Sequence, residues 1–107
     1  MINIGAGDMQ QRTYYAMLRK LTKSETEKLN DLRKTVTDAV TKAVYTSNWS
    51  VKNIRVDDFE LLQFIIIELQ MKGFKAWYVS HTEPIEFKDG VYRNRYYTLE
   101  INWELEN

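Results

Sequence analysis

The chain has 107 residues, enough for a single domain (1–107) that buries roughly two-thirds of its unfolded surface without disulfides or metals. Its 15 basic and 15 acidic residues give zero formal net charge, which argues against binding of long nucleic acids, because that binding needs a positive field. Cysteine is absent and there is a single histidine, so a disulfide framework and thiolate chemistry are excluded and a zinc site is disfavoured. We expect no metal and no cofactor.

The sequence also bears on localisation. No apolar stretch reaches the ~20 residues that span a bilayer. The N-terminus lacks the basic region, apolar core and cleavage pattern of a signal peptide. We therefore expect a cytoplasmic protein that does not enter a membrane.

Residues 1–21 are predicted to form an N-terminal arm or short helix that precedes an α+β core over residues 22–107. Apolar residues at mixed spacings of three and four favour a helix after Asp8. Tyr14 and Tyr15 are adjacent aromatic residues in this segment, and we expect them to pack on the core of their own chain.

Residues 24–47 are predicted to form an amphipathic helix. Ser24-Glu25-Thr26-Glu27 has the pattern of a capping box. The apolar positions that follow keep helical spacing for about five turns. Thr46-Ser47-Asn48 ends the helix, because these side chains compete for backbone hydrogen bonds. The segment from Trp49 to Val56 is rich in β-branched residues and is predicted to be a short strand.

The most apolar segment of the chain, residues 57–73, is predicted to be the central helix. Asp57 or Asp58 can cap its N-terminus, Glu60 stands at a capping-box position, and Gly73 can adopt the left-handed conformation at its C-terminus. Apolar side chains occupy most of its circumference, which indicates cover on more than one side. A small sheet cannot cover so broad an apolar surface alone, so we expect a homo-oligomer, most simply a dimer.

Residues 74–104 are predicted to form an antiparallel hairpin. Asp89-Gly90 has the composition of a two-residue type I′ turn. A turn at that place puts Tyr78 opposite Ile101, and it directs the apolar side chains of both strands toward the central helix.

Only part of this hairpin is needed to form the sheet. The segment 82–96 is predicted to project past the sheet, and Pro84 must lie on an edge strand or at a bulge, because proline cannot donate to a ladder. The predicted fold class is therefore two-layer α+β: helices packed on a small sheet that is closed by a long antiparallel C-terminal hairpin.

No spacing in the sequence indicates catalysis. His81, the single histidine, lacks an accompanying nucleophile and orienting group at any recognisable spacing. The carboxylates of Asp57, Asp58 and Glu60 are better explained as helix caps than as an acid/base pair. Gly5-Ala6-Gly7 is too short for a phosphate-binding fingerprint. We predict no catalytic residues and no enzyme activity.

The projecting hairpin is the candidate binding surface, because it collects arginine and tyrosine. Arginine binds phosphate oxygens in a bidentate manner, and aromatic rings stack on bases. The same residue types dominate protein interfaces, and an aromatic ladder can also simply stabilise an exposed hairpin. Nucleotide ligand, protein or self interface, and structural ladder therefore remain three open interpretations.

Strand alternation limits what one subunit can bind. Arg93 and Arg95 are two residues apart and share one strand face, whereas Tyr92 and Tyr96 project from the other. A ligand that uses both groups would need either a twist of the hairpin or a stacking surface from a second subunit, which Lys42, Tyr45 or Trp77 could supply. The predicted ligand-binding residues are Arg93, Arg95, Tyr92, Tyr96, Trp77, Lys42 and Tyr45.

Between about Thr35 and Trp103 the chain runs through an alanine-bearing helix, a short strand, an Asp-capped apolar helix ending in Gly73-Phe74, and a closing strand ending in Ile101-Asn102-Trp103. This order resembles small cytosolic proteins of tailed bacteriophages. Some of these proteins are sponges that sequester cyclic dinucleotides of the host's CBASS defence. The resemblance implies a non-enzymatic protein that binds a small anionic nucleotide in the host cytoplasm. The alternative is a protein-protein interaction or virion-accessory protein without a small-molecule ligand.

Overall fold

The computed structural model describes residues 6–105, with side chains from residue 11 onward. The elements are α1 (Ala6–Leu18), α2 (Lys23–Tyr45), β1 (Ser50–Val56), α3 (Phe59–Met71), β2 (Lys75–Phe87) and β3 (Gly90–Asn102). The strands form one antiparallel sheet in the order β1-β3-β2. The predicted α+β class with a long C-terminal hairpin is confirmed. None of the described helices is both long and apolar enough to cross a membrane.

Local signals at both ends of α3 determine its length. The carboxylate of Asp58 accepts a hydrogen bond from the Leu61 amide at 3.2 Å, which confirms the predicted N-terminal cap. Glu60 occupies the second helical position rather than the third, so the predicted capping box is wrong here. At the other end Gly73 has φ +93°, and the Phe74 amide donates to the Leu69 carbonyl at 3.0 Å. This left-handed glycine ends the helix as predicted.

The N-terminal cap of α2 lies two residues before the predicted one. Thr22 and Glu25 form the capping box: the Thr22 hydroxyl accepts from the Glu25 amide at 3.1 Å, and the Glu25 carboxylate accepts from the Thr22 amide at 3.2 Å. The predicted box beginning at Ser24 is wrong, because Thr22-x-x-Glu25 fits the same pattern and also lengthens the helix.

The C-terminus of α2 contains a strained residue. Ser47 has φ +62°, in a conformation where the Asn48 amide can donate to the Ala43 carbonyl at 2.8 Å. The left-handed conformation costs a residue with a Cβ roughly 1–2 kcal/mol of folding free energy, and glycine avoids this cost. Glycine loses more conformational entropy on folding, which offsets part of the gain. Ser47→Gly is therefore expected to stabilise the protein by about 0.5–1 kcal/mol in urea unfolding. The control Ser24→Gly, inside the first turn of α2, is expected to destabilise it; a loss of stability in Ser47→Gly would contradict the strain.

The apolar surface of α3 is covered within the chain. Its buried residues are Leu61, Leu62, Phe64, Ile65 and Leu69. The sheet and α2 pack against two sides of the helix, and α1 adds a third cover where the Tyr14 ring meets the Phe64 ring at a centroid distance of 5.8 Å. Tyr14 packs on the core as predicted, whereas Tyr15 remains half exposed. Because α1 covers this flank, α3 gives no reason for a partner subunit, and the predicted homo-oligomer needs another surface.

The hairpin register differs from the predicted one by two residues. Tyr78 lies opposite Leu99 rather than Ile101, and Ala76 lies opposite Ile101. An even shift keeps every side chain on its predicted face, so the same apolar residues still meet α3. Leu99 and Ile101 are fully buried there.

The turn itself explains the shift. Phe87 pairs with Gly90, so the two turn residues are Lys88 and Asp89, not Asp89 and Gly90. A type I′ turn needs positive φ at both central residues. Lys88 and Asp89 are not among the described non-glycine residues with positive φ, so they do not form a turn of this type. Gly90, at φ +151°, instead takes the first position of β3.

The hairpin projects beyond the rest of the sheet. Pairing between β1 and β3 ends at Val56 opposite Tyr97, whereas β2 and β3 remain paired up to Phe87 and Gly90. The segment 82–96 is therefore a two-stranded extension. Pro84 lies within β2, an edge strand, as predicted.

Candidate functional site

The sheet has two unlike faces. The inner face carries Ala76, Leu99 and Ile101, which are buried against the helices. The outer face carries Trp77 and Val79, both of which are exposed. Each strand of the hairpin contributes alternate residues to the two faces.

An aromatic cluster lies on the inner face where the hairpin leaves α3. The ring of Phe59, the first residue of α3, lies 5.2 Å from the Tyr78 ring and 4.9 Å from the Tyr97 ring between centroids. The Tyr78 and Tyr97 rings are themselves 5.7 Å apart. Tyr78 is 43% exposed, so the cluster presents aromatic surface to solvent beside the base of the projecting hairpin.

Both predicted arginines continue this inner face outward from the cluster. Arg95 lies on the same face as Tyr97, roughly 7 Å closer to the hairpin tip along β3, and Arg93 lies two residues closer still. They are opposite Thr82 and Pro84 respectively. We call the surface formed by Phe59, Tyr78, Tyr97, Arg95 and Arg93 the hairpin step.

The arginines of the hairpin step are available to a ligand. Both residues are exposed, and neither forms an ion pair or hydrogen bond with a described side chain. A cavity of about 240 Å³ adjoins Arg93 and is lined by Thr82, Glu83, Pro84, Val91 and Arg93. The step therefore offers free guanidinium groups next to exposed aromatic surface.

On the outer face the chain's own groups already satisfy one another. Arg55 donates to Glu83 at 2.7 and 3.3 Å and to Asp57 at 3.1 Å, and its guanidinium carbon lies 4.1 Å from the centroid of the Tyr96 ring. The His81 ring stacks on Tyr96 at 4.9 Å. Since β3 lies between β1 and β2, Arg55 and His81 approach Tyr96 from its two sides. The predicted use of Tyr96 as a stacking surface is therefore unsupported, because its ring is engaged within the chain.

The pairing of Glu83 is testable through its titration. Hydrogen bonds from Arg55, and then from Asn94, lower the pKa of Glu83 below its ordinary value. A lowered folded-state pKa means that the pairing stabilises the protein above the ordinary pKa and that this contribution is lost as the pH falls through the lowered value. Arg55→Gln is expected to raise the pKa of Glu83, measured by NMR of its carboxyl carbon. Arg93→Gln serves as the control; an unchanged Glu83 titration in Arg55→Gln would contradict the pairing.

Trp77 and Tyr92, the other predicted aromatic residues of the hairpin, also lie on the outer face. The Trp77 indole donates to the Glu100 carboxylate at 2.6 Å. The Tyr92 hydroxyl donates to Asp89 at 3.0 Å at the hairpin tip. Both rings keep exposed surface, but they face away from Arg93 and Arg95.

The structure separates Lys42 and Tyr45 from the arginines. They lie at the end of α2, next to the loop in which the Trp49 carbonyl accepts from the Trp103 amide at 3.0 Å. This is the end of the sheet opposite the hairpin tip. Tyr45 is 85% exposed, but one chain does not bring it to the hairpin step.

A second polar cluster ties the helices together. The Arg33 guanidinium donates to the Glu68 carboxylate at 2.8 and 3.0 Å and to the Tyr14 hydroxyl at 3.3 Å. The hydrogen bond to Glu68 raises the pKa of Arg33. A cavity of about 250 Å³ between α2 and α3 adjoins this cluster. Because its arginine is already paired, the cluster joins α1, α2 and α3 rather than offering a free cation.

Sequence reasoning missed the aromatic half of the hairpin step. The period of two that places Arg93 and Arg95 together also places Tyr97 with them, so this signal was present in the sequence. The predicted hairpin pairing also places Tyr78 on this face, whereas Phe59 joins through tertiary packing and carries no such signal. Among the side chains described, those of residues 11–105, no group of three or more histidine, cysteine or acidic residues could hold a metal ion. Comparison with known protein families, curated proteins and solved structures finds no match to this chain.

Proposed function

We propose that this protein binds a small anionic nucleotide at the hairpin step and acts by sequestering it, without catalysis. The observation that carries the proposal is the placement of two exposed, unpaired arginines, Arg93 and Arg95, on the same sheet face as the exposed Tyr78 and its neighbour Tyr97. Tyr92 and Tyr96, the tyrosines next to the arginines in sequence, project from the opposite face, but Tyr78 and Tyr97 supply aromatic surface on the face of the arginines.

Each part of the step matches one part of a nucleotide. Two guanidinium groups on alternate residues can grip one phosphate together or serve two phosphates. Aromatic surface beside them can stack a base, which contributes roughly 1–3 kcal/mol per base. Because the chain has zero formal net charge, the positive field is local, which favours a compact anion over a long polynucleotide.

A cyclic dinucleotide is the specific ligand that we propose. It carries two phosphates and two bases in a small ring, and the resemblance to phage sponges that sequester such signals points to the same class. Under this proposal the protein acts in the host cytoplasm and lowers the concentration of a defence signal by stoichiometric binding.

Isothermal titration with a panel of cyclic di- and trinucleotides tests the proposal. We expect one member to bind with a Kd below about 10 micromolar, near −7 kcal/mol. The matching nucleoside monophosphate serves as the control and is expected to bind more weakly, because it offers one phosphate and one base. If no member of the panel binds in this range, nucleotide sequestration is wrong.

The two faces of the hairpin can be distinguished by mutation. Phe87→Ser combined with Tyr92→Ser removes exposed aromatic surface from the outer face, which the proposed ligand does not touch. Nucleotide affinity is expected to stay within about twofold, well under the 1.4 kcal/mol of a tenfold change. A tenfold loss would place the ligand on the outer face instead.

A protein-interaction function is the second candidate, and the outer face favours it. This face exposes Trp77, Val79, Phe87 and Tyr92, and its arginine is neutralised by Glu83 and Asp57. Exposed aromatic surface with little free charge is typical of protein interfaces. A photoreactive amino acid in place of Trp77 is then expected to cross-link to one host protein and to yield one discrete adduct. The same amino acid in place of Met17, which is exposed on α1, is the control and is expected to yield no such adduct.

A further inference from the structure

The outer edge of β2 is an unfilled pairing position. Strand β2 is 13 residues long and pairs with β3 on one side, and no described strand pairs with its other side. The opposite edge of the sheet differs, because the register of β1 shifts between Val51 and Ile54, where Asn53 has φ +65°. A long, regular, exposed edge is a template for strand addition, whereas a bulged edge is protected.

We propose that the outer edge of β2 pairs with the β2 strand of a second copy, antiparallel, about a two-fold axis at Val79. Pro84 limits the pairing, because proline has no backbone N–H to donate to the hydrogen bonds between strands. The proline-free part of the strand, Lys75–Glu83, has Val79 at its centre. An antiparallel pair about that residue therefore uses the whole usable edge and joins the two sheets into one of six strands.

The residues that this symmetry brings together are complementary. Lys75 falls opposite Glu83 of the partner subunit, and by symmetry the same pair forms twice. Val79 falls opposite Val79 of the partner subunit, and Trp77 opposite the partner's His81. Opposite charges, paired β-branched residues and paired aromatic rings are the cross-strand combinations that stabilise antiparallel pairs. Lys75 and Glu83 already have contacts within their own chain, and Glu83 accepts two hydrogen bonds from Arg55 and one from Asn94. A carboxylate has about four acceptor positions and an ammonium group has three donors, so this further pair can still form.

This pairing also completes the hairpin step, a consequence that depends on the proposed function. On the inner face Ser80 falls opposite Tyr78 of the partner subunit, and Ser80 is itself opposite Tyr97. The 240 Å³ cavity beside Arg93 is smaller than the roughly 300–1,000 Å³ typical of ligand pockets. The partner's Tyr78 lies beside Ser80 and Tyr97, at the aromatic end of the hairpin step, and adds a stacking surface there that one chain lacks.

Disulfide trapping tests the pairing directly, because the chain contains no cysteine. Cross-strand partners in antiparallel pairs have Cα atoms about 4.5–5.5 Å apart, within reach of a disulfide. Val79→Cys, on the two-fold axis, is expected to form a covalent dimer at least tenfold faster under mild oxidation than Val91→Cys. Val91 is the matched control: it is an exposed valine on the hairpin, away from the proposed axis. Equal rates for the two variants would overturn the proposal.

Light scattering of the cysteine-free protein gives an independent result without any ligand. At about 100 micromolar, where mass action favours association, we expect a mass twice the 12.8 kDa of the chain. Val79→Lys places like charges across the axis and is expected to return the chain mass, whereas Val91→Lys keeps the dimer. A chain mass for the parent protein, or a dimer that persists in Val79→Lys, would overturn the pairing. Either result leaves nucleotide binding to be judged by its own titration.

Discussion

Replacing Arg93 and Arg95 together by alanine is expected to weaken nucleotide binding at least about 100-fold. A hydrogen bond to a charged group contributes roughly 1.5–3 kcal/mol, so two lost guanidinium contacts cost at least about 3 kcal/mol. Every 1.4 kcal/mol corresponds to a tenfold change in Kd. The measurement is isothermal titration with the cyclic nucleotide that binds the parent protein most tightly.

The control for this experiment is a charge-matched double variant. Arg12→Ala with Arg19→Ala removes the same net charge from exposed positions in and after α1, a helix that packs mainly on α3. Its affinity is expected to match that of the parent protein, which separates specific contacts from a general loss of positive charge. The free energy of unfolding of both double variants is expected to lie within about 0.5 kcal/mol of that of the parent protein, because the altered side chains are exposed. If the Arg93 and Arg95 variant keeps full affinity, the hairpin step is not the binding site.

Leu62→Ala is expected to destabilise the protein by about 3–4 kcal/mol. Leu62 is fully buried on α3, in the core that α3 shares with the sheet and with α2. Truncating a buried leucine loses the transfer free energy of its methyl groups and leaves a cavity, which together cost about 2–5 kcal/mol. Urea unfolding followed by circular dichroism measures the difference.

Gln63→Ala is the matched control for the core substitution, because the adjacent side chain on the same helix is exposed. It is expected to change the free energy of unfolding by less than about 0.5 kcal/mol. A loss of less than 1 kcal/mol in Leu62→Ala, estimated against this control, would mean that α3 is not the centre of the core.

The helices could be predicted because their signals are local. Asp58 and Gly73 mark the ends of α3 through capping chemistry that needs no knowledge of the rest of the fold. The cap of α2 was placed wrongly because two overlapping patterns, beginning at Thr22 and Ser24, satisfy the same rule. Local chemistry alone does not choose between them.

The hairpin register shows where pattern reasoning ends. A shift of two residues leaves every apolar side chain on the same face, so the alternation that identifies the strands cannot distinguish the two registers. The turn decides between them, and Lys88-Asp89 forms it although Asp89-Gly90 has the more familiar composition. The sequence predicted that Tyr14 packs on the core, but it did not predict that Tyr14 meets Phe64 and so covers α3, because the two residues are distant in sequence.

Half of the candidate site followed from sequence. The period of two predicted that Arg93 and Arg95 share a face opposite Tyr92, and the strand pairing confirms it. The predicted aromatic residues Tyr92 and Tyr96 lie on the other face, as alternation along a strand requires. The step exists because β1 ends at Val56 and α3 begins beside it, a tertiary arrangement that brings Phe59 to the base of the hairpin.

The most direct test of nucleotide binding at the hairpin step is NMR chemical-shift mapping on labelled protein with the tightest-binding cyclic nucleotide. We expect the largest shifts at Tyr78, Arg93, Arg95 and Tyr97, with small changes at Tyr45 and at the outer-face residue Trp77. Shifts concentrated on the outer face, or spread without a maximum at the two arginines, would contradict this site.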